Sequence, residues 1–256
     1  SPSMEADILG SRTRRLEAAV EKHRGKCPSI QGRILRGKPS VALIQEVLRG
    51  RHDLLVRYHG RDLKAERGYG AVDMQLLRKC PCPVWLVGVG EKTRPKRVMA
   101  AVHPDPQHPE ARALNQRIIH AAAELARLEK GRLVIMTAWA PFGMSLIDDL
   151  VTEEDLKTYR KAAETTAADA LNDLLASTGD LGVKFETALV KGDPAKVIPS
   201  YAKRQDIDVI VMGTVARSGL VGMIMGNTAE RVLQALRCSV LALKPDGFET
   251  PVRPAR

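Results

Sequence analysis

The chain has 256 residues, 44% apolar but only 4% aromatic, with a formal net charge of +10. Such a length holds one large or two ordinary domains, and so aliphatic a composition suits helices packed on sheets. No apolar run reaches the ~18 residues that cross a bilayer, and no basic start leads into an apolar stretch and cleavage site, so the sequence reads as soluble and cytoplasmic, without a membrane partner.

An internal repeat organises the chain. At an offset of 155, Gly37 and Pro39 fall on Gly192 and Pro194, and Asp53-Leu54-Leu55-Val56 on Asp208-Val209-Ile210-Val211. At an offset of 156, Gly70, Cys82 and Val84 fall on Gly226, Cys238 and Val240. Two α/β units therefore stand in tandem, 1–90 and 91–256, joined by a Gly, Lys and Pro-containing linker at 88–95. In the first unit, residues 12–24 read as a helix, 29–36 as a strand, 41–49 as a short helix, 54–58 as a strand, 70–79 as a helix and 84–87 as a strand. Compared with the second unit, this copy lacks its first two strands and the helix between them. The sequence thus reads as N-terminally shortened, with Ser1 to Ser3 foreign, and its three-stranded remnant is expected to lean on the complete unit or on a partner chain.

The second unit opens with a strand at 97–103 that ends in the turn His103-Pro104-Asp105-Pro106. A helix over 109–129 follows, with Leu114, Ile118, Ala121 or Ala122, Leu125 and Leu128 on one face. Next come a strand at 133–139, a helix over 153–177 with Tyr159, Ala163, Thr166, Ala170 and Leu174 as its buried stripe, and a strand at 185–190. Pro194 starts a short helix to 203. The strand 208–212, a glycine-bearing loop 213–226, a helix 227–237 and the strand 240–243 complete the unit. Five strands alternating with four helices imply a doubly wound parallel sheet of the α/β class. Ligands in such sheets bind beyond the carboxyl ends of the strands where the strand order reverses, which puts His103 to Asp105 beside the loop 213–226. Gly226-Asn227-Thr228 opens a helix whose free N–H groups favour an anion.

The loop and its flanks resemble the universal stress protein family, whose pattern is Gly-x2-Gly-x9-Gly-Ser/Thr. Residues 76–85 (LLRKCPCPVW) and 226–252 (GNTAERVLQALRCSVLALKPDGFETPV) are similar to the E-type tandem members, and the resemblance covers nearly the whole chain. It implies a flavodoxin-like, adenine-nucleotide α-hydrolase-like fold in two repeats, the first incomplete at its N-terminus, and a non-catalytic stress-response role. It also implies a nucleotide site in the second repeat, formed by Val102, His103, Asp105, Ala138, Met212, Gly213, Ala216, Arg217, Gly226, Asn227 and Thr228, with ATP or another adenine nucleotide as ligand. Gly213 and Gly226 match the family pattern, whereas Ala216 replaces the second glycine, Asn227 the Ser/Thr, and His103 an aspartate. A methyl group at 216 obstructs close backbone approach and a neutral His is a poorer acceptor than a carboxylate, with Thr228 and Arg217 as compensating groups. In the first repeat Arg57-Tyr58-His59-Gly60-Arg61 replaces the corresponding residues, so that copy is assigned no nucleotide.

The remaining features are weighed against plainer readings. His103, Asp105 and His108 do not converge with further ligands, so no metal is expected. Met212, Met223 and Met225 suit either an adaptable apolar pocket or a core. Cys27, Cys80, Cys82 and Cys238 have neither redox C-x-x-C spacing nor paired zinc spacing and read as buried structural thiols. No nucleophile stands with a base and an orienting acid, so no catalytic residue is named and any ATP hydrolysis would be slow and incidental. The strand 240–243 resembles the one used for dimer contacts in single-domain relatives, and is expected to pair the two repeats as an intramolecular pseudodimer or to support a homodimer. Two alternatives stand beside nucleotide binding: a receptor for another apolar or phosphorylated small molecule, and a protein- or RNA-binding scaffold that uses the excess positive charge.

Overall fold

The computed structural model describes residues 2–58, 69–88, 94–105, 108, 110–141, 152–215 and 225–254. The chain forms two compact units, residues 1–43 and 44–256.

The first unit is built on α1 (Pro2–Arg24), whose last turn carries Lys22, His23 and Arg24 against the negative end of the helix dipole. The amides of Lys26 and Cys27 both donate to the His23 carbonyl at 3.0 Å and turn the chain. Cys27 sits on this turn and is exposed, which corrects its expected burial. Residues 29–36 hold no strand, contrary to expectation. A strand exists only as a rung of a ladder, and among the described residues no strand pairs with this segment. The segment instead lies along the helix at Gly32, where a Cβ would come within 2.9 Å of the Leu16 side chain. α2 (Pro39–Gly50) begins in the first unit and ends in the second, where Ile44 and Val47 are buried.

The second unit is a seven-stranded sheet covered by helices. Its strands are β1 (Leu55–Tyr58), β2 (Val84–Val87), β3 (Arg97–Val102), β4 (Arg132–Trp139), β5 (Phe185–Lys191), β6 (Val209–Gly213) and β7 (Ser239–Leu243), in the order β1-β2-β7-β6-β3-β4-β5. The helices are α3 (Ala71–Lys79), α4 (Glu110–Leu128), α5 (Glu153–Thr178), α6 (Pro194–Arg204) and α7 (Asn227–Ala235). β3, β4, β6 and β7 are near-continuous apolar runs because each is covered on both faces, the signature of parallel strands inside an α/β layer. The five strands β7-β6-β3-β4-β5 are parallel throughout. β1 pairs parallel with β2, and β2 pairs antiparallel with β7, matching Val84 to Ala242, Trp85 to Leu241 and Leu86 to Val240. One sheet thus runs through both repeats, and the first repeat contributes two strands to it instead of three.

One face packs Val98, Ala100, Val102, Leu133, Ile135, Val209 and Val211 against Ile118, Ile119, Ala122, Ala123 and Ala126 of α4 and Leu171 and Leu174 of α5. Alanines at the helix–sheet contact allow the close approach that so few aromatic residues require. Leu128, expected on the buried face of α4, is 68% exposed in the last turn beyond the sheet. In α5 the expected stripe also needs correction, because Tyr159 and Thr166 are exposed and the buried residues are Leu156, Ala170, Leu171, Leu174 and Thr178. The helix is 26 residues, about 39 Å long, and apart from Leu156 its buried residues all lie in the C-terminal half. α5 starts at a capping box in which the Thr152 hydroxyl accepts from the Asp155 amide and the Asp155 carboxylate accepts from the Thr152 amide.

The amino ends of β3 and β6 are clamped by one side chain. A single carboxylate oxygen of the buried Asp208 accepts from the amides of Lys96 at 2.7 Å and Arg97 at 2.9 Å.

Candidate functional site

β3 has β4 on one side and β6 on the other, and the chain winds outward from it in opposite directions. The carboxyl ends of β3 and β6, in register at Ala101 and Met212, therefore diverge into helices on opposite faces and leave a crevice. A cavity of about 540 Å³ occupies it. β3 contributes Ala101 and Val102, the turn after it His103, β4 Ala138, and β6 Met212 and Gly213. Leu114, Asn115 and Ile118 of α4 form one wall, Pro194 and Ile198 of α6 another, and Gly226, Asn227 and Thr228 the entrance to α7.

Eight of the residues named from sequence thus come together: Val102, His103, Ala138, Met212, Gly213, Gly226, Asn227 and Thr228. Asp105 does not line the cavity and lies in a separate small hollow with Pro104, Arg112 and Asp173. Ala216, Arg217 and Met223 lie outside the described residues.

The turn at His103 is fixed by a residue that the sequence reading missed. Asn115 is buried, accepts the His103 amide at 3.1 Å and donates its own amide to the His103 carbonyl at 2.9 Å. Both backbone groups of His103 are thereby used and its side chain projects from a rigid turn. The available signal was an amide side chain directly beside Leu114 on the apolar face of α4, where an unpaired polar group is costly.

Gly213 has a local reason to be glycine. A Cβ there would come within 3.0 Å of Leu114 Cδ2 and 3.6 Å of Ile118 Cδ1, so the missing side chain lets α4 close against β6 at the rim of the cavity. Gly213→Ala is expected to cost about 1 kcal/mol and Gly213→Val about 2 kcal/mol in urea unfolding, as overpacking at a close contact does.

The glycine loop is pinched at its stem. Val215 and Met225 form an antiparallel bridge, and the Gly226 amide donates to the Thr214 carbonyl at 3.1 Å. α7 then starts with Gly226 as its N-cap and no side-chain cap. Helix geometry leaves the next amides, at Asn227 and Thr228, without intrahelical acceptors and directed at the cavity mouth. Among the described lining residues there is no Lys, Arg, Asp or Glu, and the polar groups are His103, Asn115, Asn227 and Thr228.

Thr214 connects the loop to the first repeat. It is fully buried, its hydroxyl donates to the Leu77 carbonyl at 3.2 Å, and it accepts from Lys244 Nζ at 2.5 Å. Lys244 also donates to Leu77 and lies 4.9 Å from the centre of the Phe248 ring. Burial pushes its ammonium from the ordinary 10.5 down to about 8, against a smaller opposing effect of Cys80.

In the first repeat the equivalent helix entrance is already filled. Asp73 is buried at the start of α3, accepting the Gly70 amide at 3.2 Å and pairing with Arg57 at 2.5 Å. Its own carboxylate thus sits where an anion would meet the helix. Among the described residues, no group of three or more His, Cys, Asp or Glu is placed to hold a metal ion. No helix among them is long and apolar enough to cross a membrane.

This architecture has known counterparts. The model of the Universal stress protein family matches residues 97–244. The chain is 30% identical over 252 residues to Universal stress protein E of Escherichia coli strain K12, covering 98% of this chain and 79% of that one. It is 31% identical over 226 residues to Universal stress protein E of Photorhabdus laumondii, covering 87% and 71%. Among solved structures, a putative universal stress protein from Pseudomonas aeruginosa UCBPP-PA14 superposes with a TM-score of 0.69 at 28% identity, over 91% of this chain and 78% of that one.

Proposed function

Since the chain belongs to the universal stress protein family, we propose that it is a non-catalytic cytoplasmic stress-response protein that binds an adenine nucleotide in the cavity of its second repeat. The observation that carries this reading is the cavity itself, set at the switch point between β3 and β6 and closed by the uncapped entrance of α7. In this reading the base and ribose rest on Val102, His103, Ala138 and Met212. The phosphates meet the amides of Asn227 and Thr228. Gly213 acts through packing, and Asp105 takes no part. Occupancy shifts the conformation of the chain, and the occupied form selects partners, so that binding rather than turnover is the signal. The two repeats serve as a pseudodimer within one chain, the first carrying no nucleotide of its own.

One observation favours a second reading, a receptor for a less polar small molecule: the described lining carries no charged side chain. The two separate in a calorimetric titration with ATP and AMP, preceded by native mass spectrometry of the freshly purified chain. Dissociation constants of about micromolar order are expected, weakened about tenfold or more by Gly226→Trp, which places an indole across the entrance. No heat with either nucleotide and no co-purified nucleotide overturns the first reading, and a different co-purified molecule that Gly226→Trp expels establishes the second.

A further inference from the structure

A second group of reactive side chains lies away from the cavity, at the carboxyl end of α3. Cys80 is the C-cap of that helix, its amide donating to the Leu76 carbonyl at 2.9 Å, and Cys82 follows after Pro81. Their sulfur atoms stand 3.6 Å apart in hydrogen-bonding contact. Both thiols are buried, Cys80 completely and Cys82 with 8% of its surface reachable. Cys238, the repeat-related counterpart of Cys82, is also buried, whereas Cys27 is exposed on its turn.

The two sulfurs are unequal. The hydrogen bond from Cys80 pulls the Cys82 thiol below the ordinary value, while donating that bond, together with burial, pushes Cys80 up. The Lys244 ammonium acts on the same centre, partly opposing the rise at Cys80.

We propose that Cys80 and Cys82 are a redox-active dithiol, oxidised by hydroperoxides to an intramolecular disulfide and returned to thiols by low-molecular-weight thiols. Cys82, the less buried residue of the two and the thiol held below its ordinary value, attacks the terminal oxygen of the hydroperoxide as thiolate. The O–O bond breaks, the departing alkoxide or hydroxide takes up a proton to become alcohol or water, and Cys82 becomes a sulfenic acid. Cys80 then loses its proton and attacks the Cys82 sulfur, forming the S–S bond and expelling hydroxide that leaves as water. Two thiols are oxidised, one peroxide is reduced, and two small thiols later reverse the step by becoming their own disulfide. Closing the pair from 3.6 Å to a disulfide at about 2.05 Å is a movement within side-chain reach. Because a neighbouring thiol traps the sulfenic acid at once, the sulfur is protected from further oxidation. The site is independent of what occupies the cavity.

The test uses the full chain, reduced and then exposed to stoichiometric hydrogen peroxide before free thiols are blocked with N-ethylmaleimide. Peptide mapping is expected to find Cys80 and Cys82 joined, lighter by two hydrogens and unblocked, with both thiols recovered after dithiothreitol. Cys80→Ser is expected to accumulate a sulfenic acid at Cys82 that dimedone traps, and Cys82→Ser to lose both the adduct and the disulfide. Should either variant fail to fold, the wild-type map decides alone. Full blocking of Cys80 and Cys82 after peroxide in folded protein overturns the proposal, as does oxidation confined to Cys27 or Cys238.

Discussion

Asp208→Ala is expected to lower the free energy of unfolding by about 4 kcal/mol, since two amides bonded to a buried carboxylate are each worth roughly 1.5 to 3 kcal/mol and both would be left without that acceptor. Those amides, of Lys96 and Arg97, open the central strand β3, and Asp208 stands immediately before its neighbour β6. The backbone of Asp208 is itself fixed, donating to the Arg97 carbonyl at 2.9 Å and accepting from Ser239 at 3.2 Å, so the carboxylate is held where the two amides converge. Asp208→Asn keeps an acceptor oxygen and loses only the charge, and its cost is expected to be about half as large. Urea unfolding followed by circular dichroism measures both. An alanine cost below about 1 kcal/mol would show that the clamp contributes little.

The second large effect is a pH dependence at Lys244. Its ammonium titrates at about 8 in the folded chain against an ordinary 10.5, because burial disfavours the charge. Below pH 8 both states hold the proton and the cost of burial is fully present. Between about 8 and 10.5 the unfolded chain keeps a proton that the folded chain has released, so this group makes stability rise with pH across that window. The difference of about 2.5 units corresponds to about 3 kcal/mol. Comparison with Lys244→Met cancels the alkaline titration of other groups. The wild-type stability minus that of the variant should therefore grow by about 3 kcal/mol from pH 7 to 10.5, whereas a constant difference would refute the shifted titration. At pH 7 the variant is expected to be neutral or stabilised, because an apolar chain of similar size removes a costly buried charge and Thr214 still donates to Leu77.

The second repeat was legible almost element by element because its strands are unbroken apolar runs and its helices are set off by Pro, Thr and Gly at their starts. The crevice followed from topology alone, which is why residues as far apart as His103 and Thr228 could be placed together. What escaped was set by partners rather than by pattern. Residues 29–36 have the composition of a strand but no ladder to join. Tyr159 and Thr166 obey the helical period of α5 but are exposed. Asn115 was passed over because its role depends on the turn that comes to meet it. Gly213 fitted a binding motif, and only the position of Leu114 reveals that packing also requires it.

The antiparallel junction of β2 with β7 sets the direction of the strands as well as the continuity of the sheet. It turns the two repeats head to tail, so that β1 and β2 end at the rim opposite the one where the strands of the second repeat end. The cavity at the carboxyl ends of β3 and β6 therefore opens at the rim where β1 and β2 begin. The sheet is thus two-ended: one rim carries the cavity of the second repeat, and the other carries the carboxyl ends of β1 and β2.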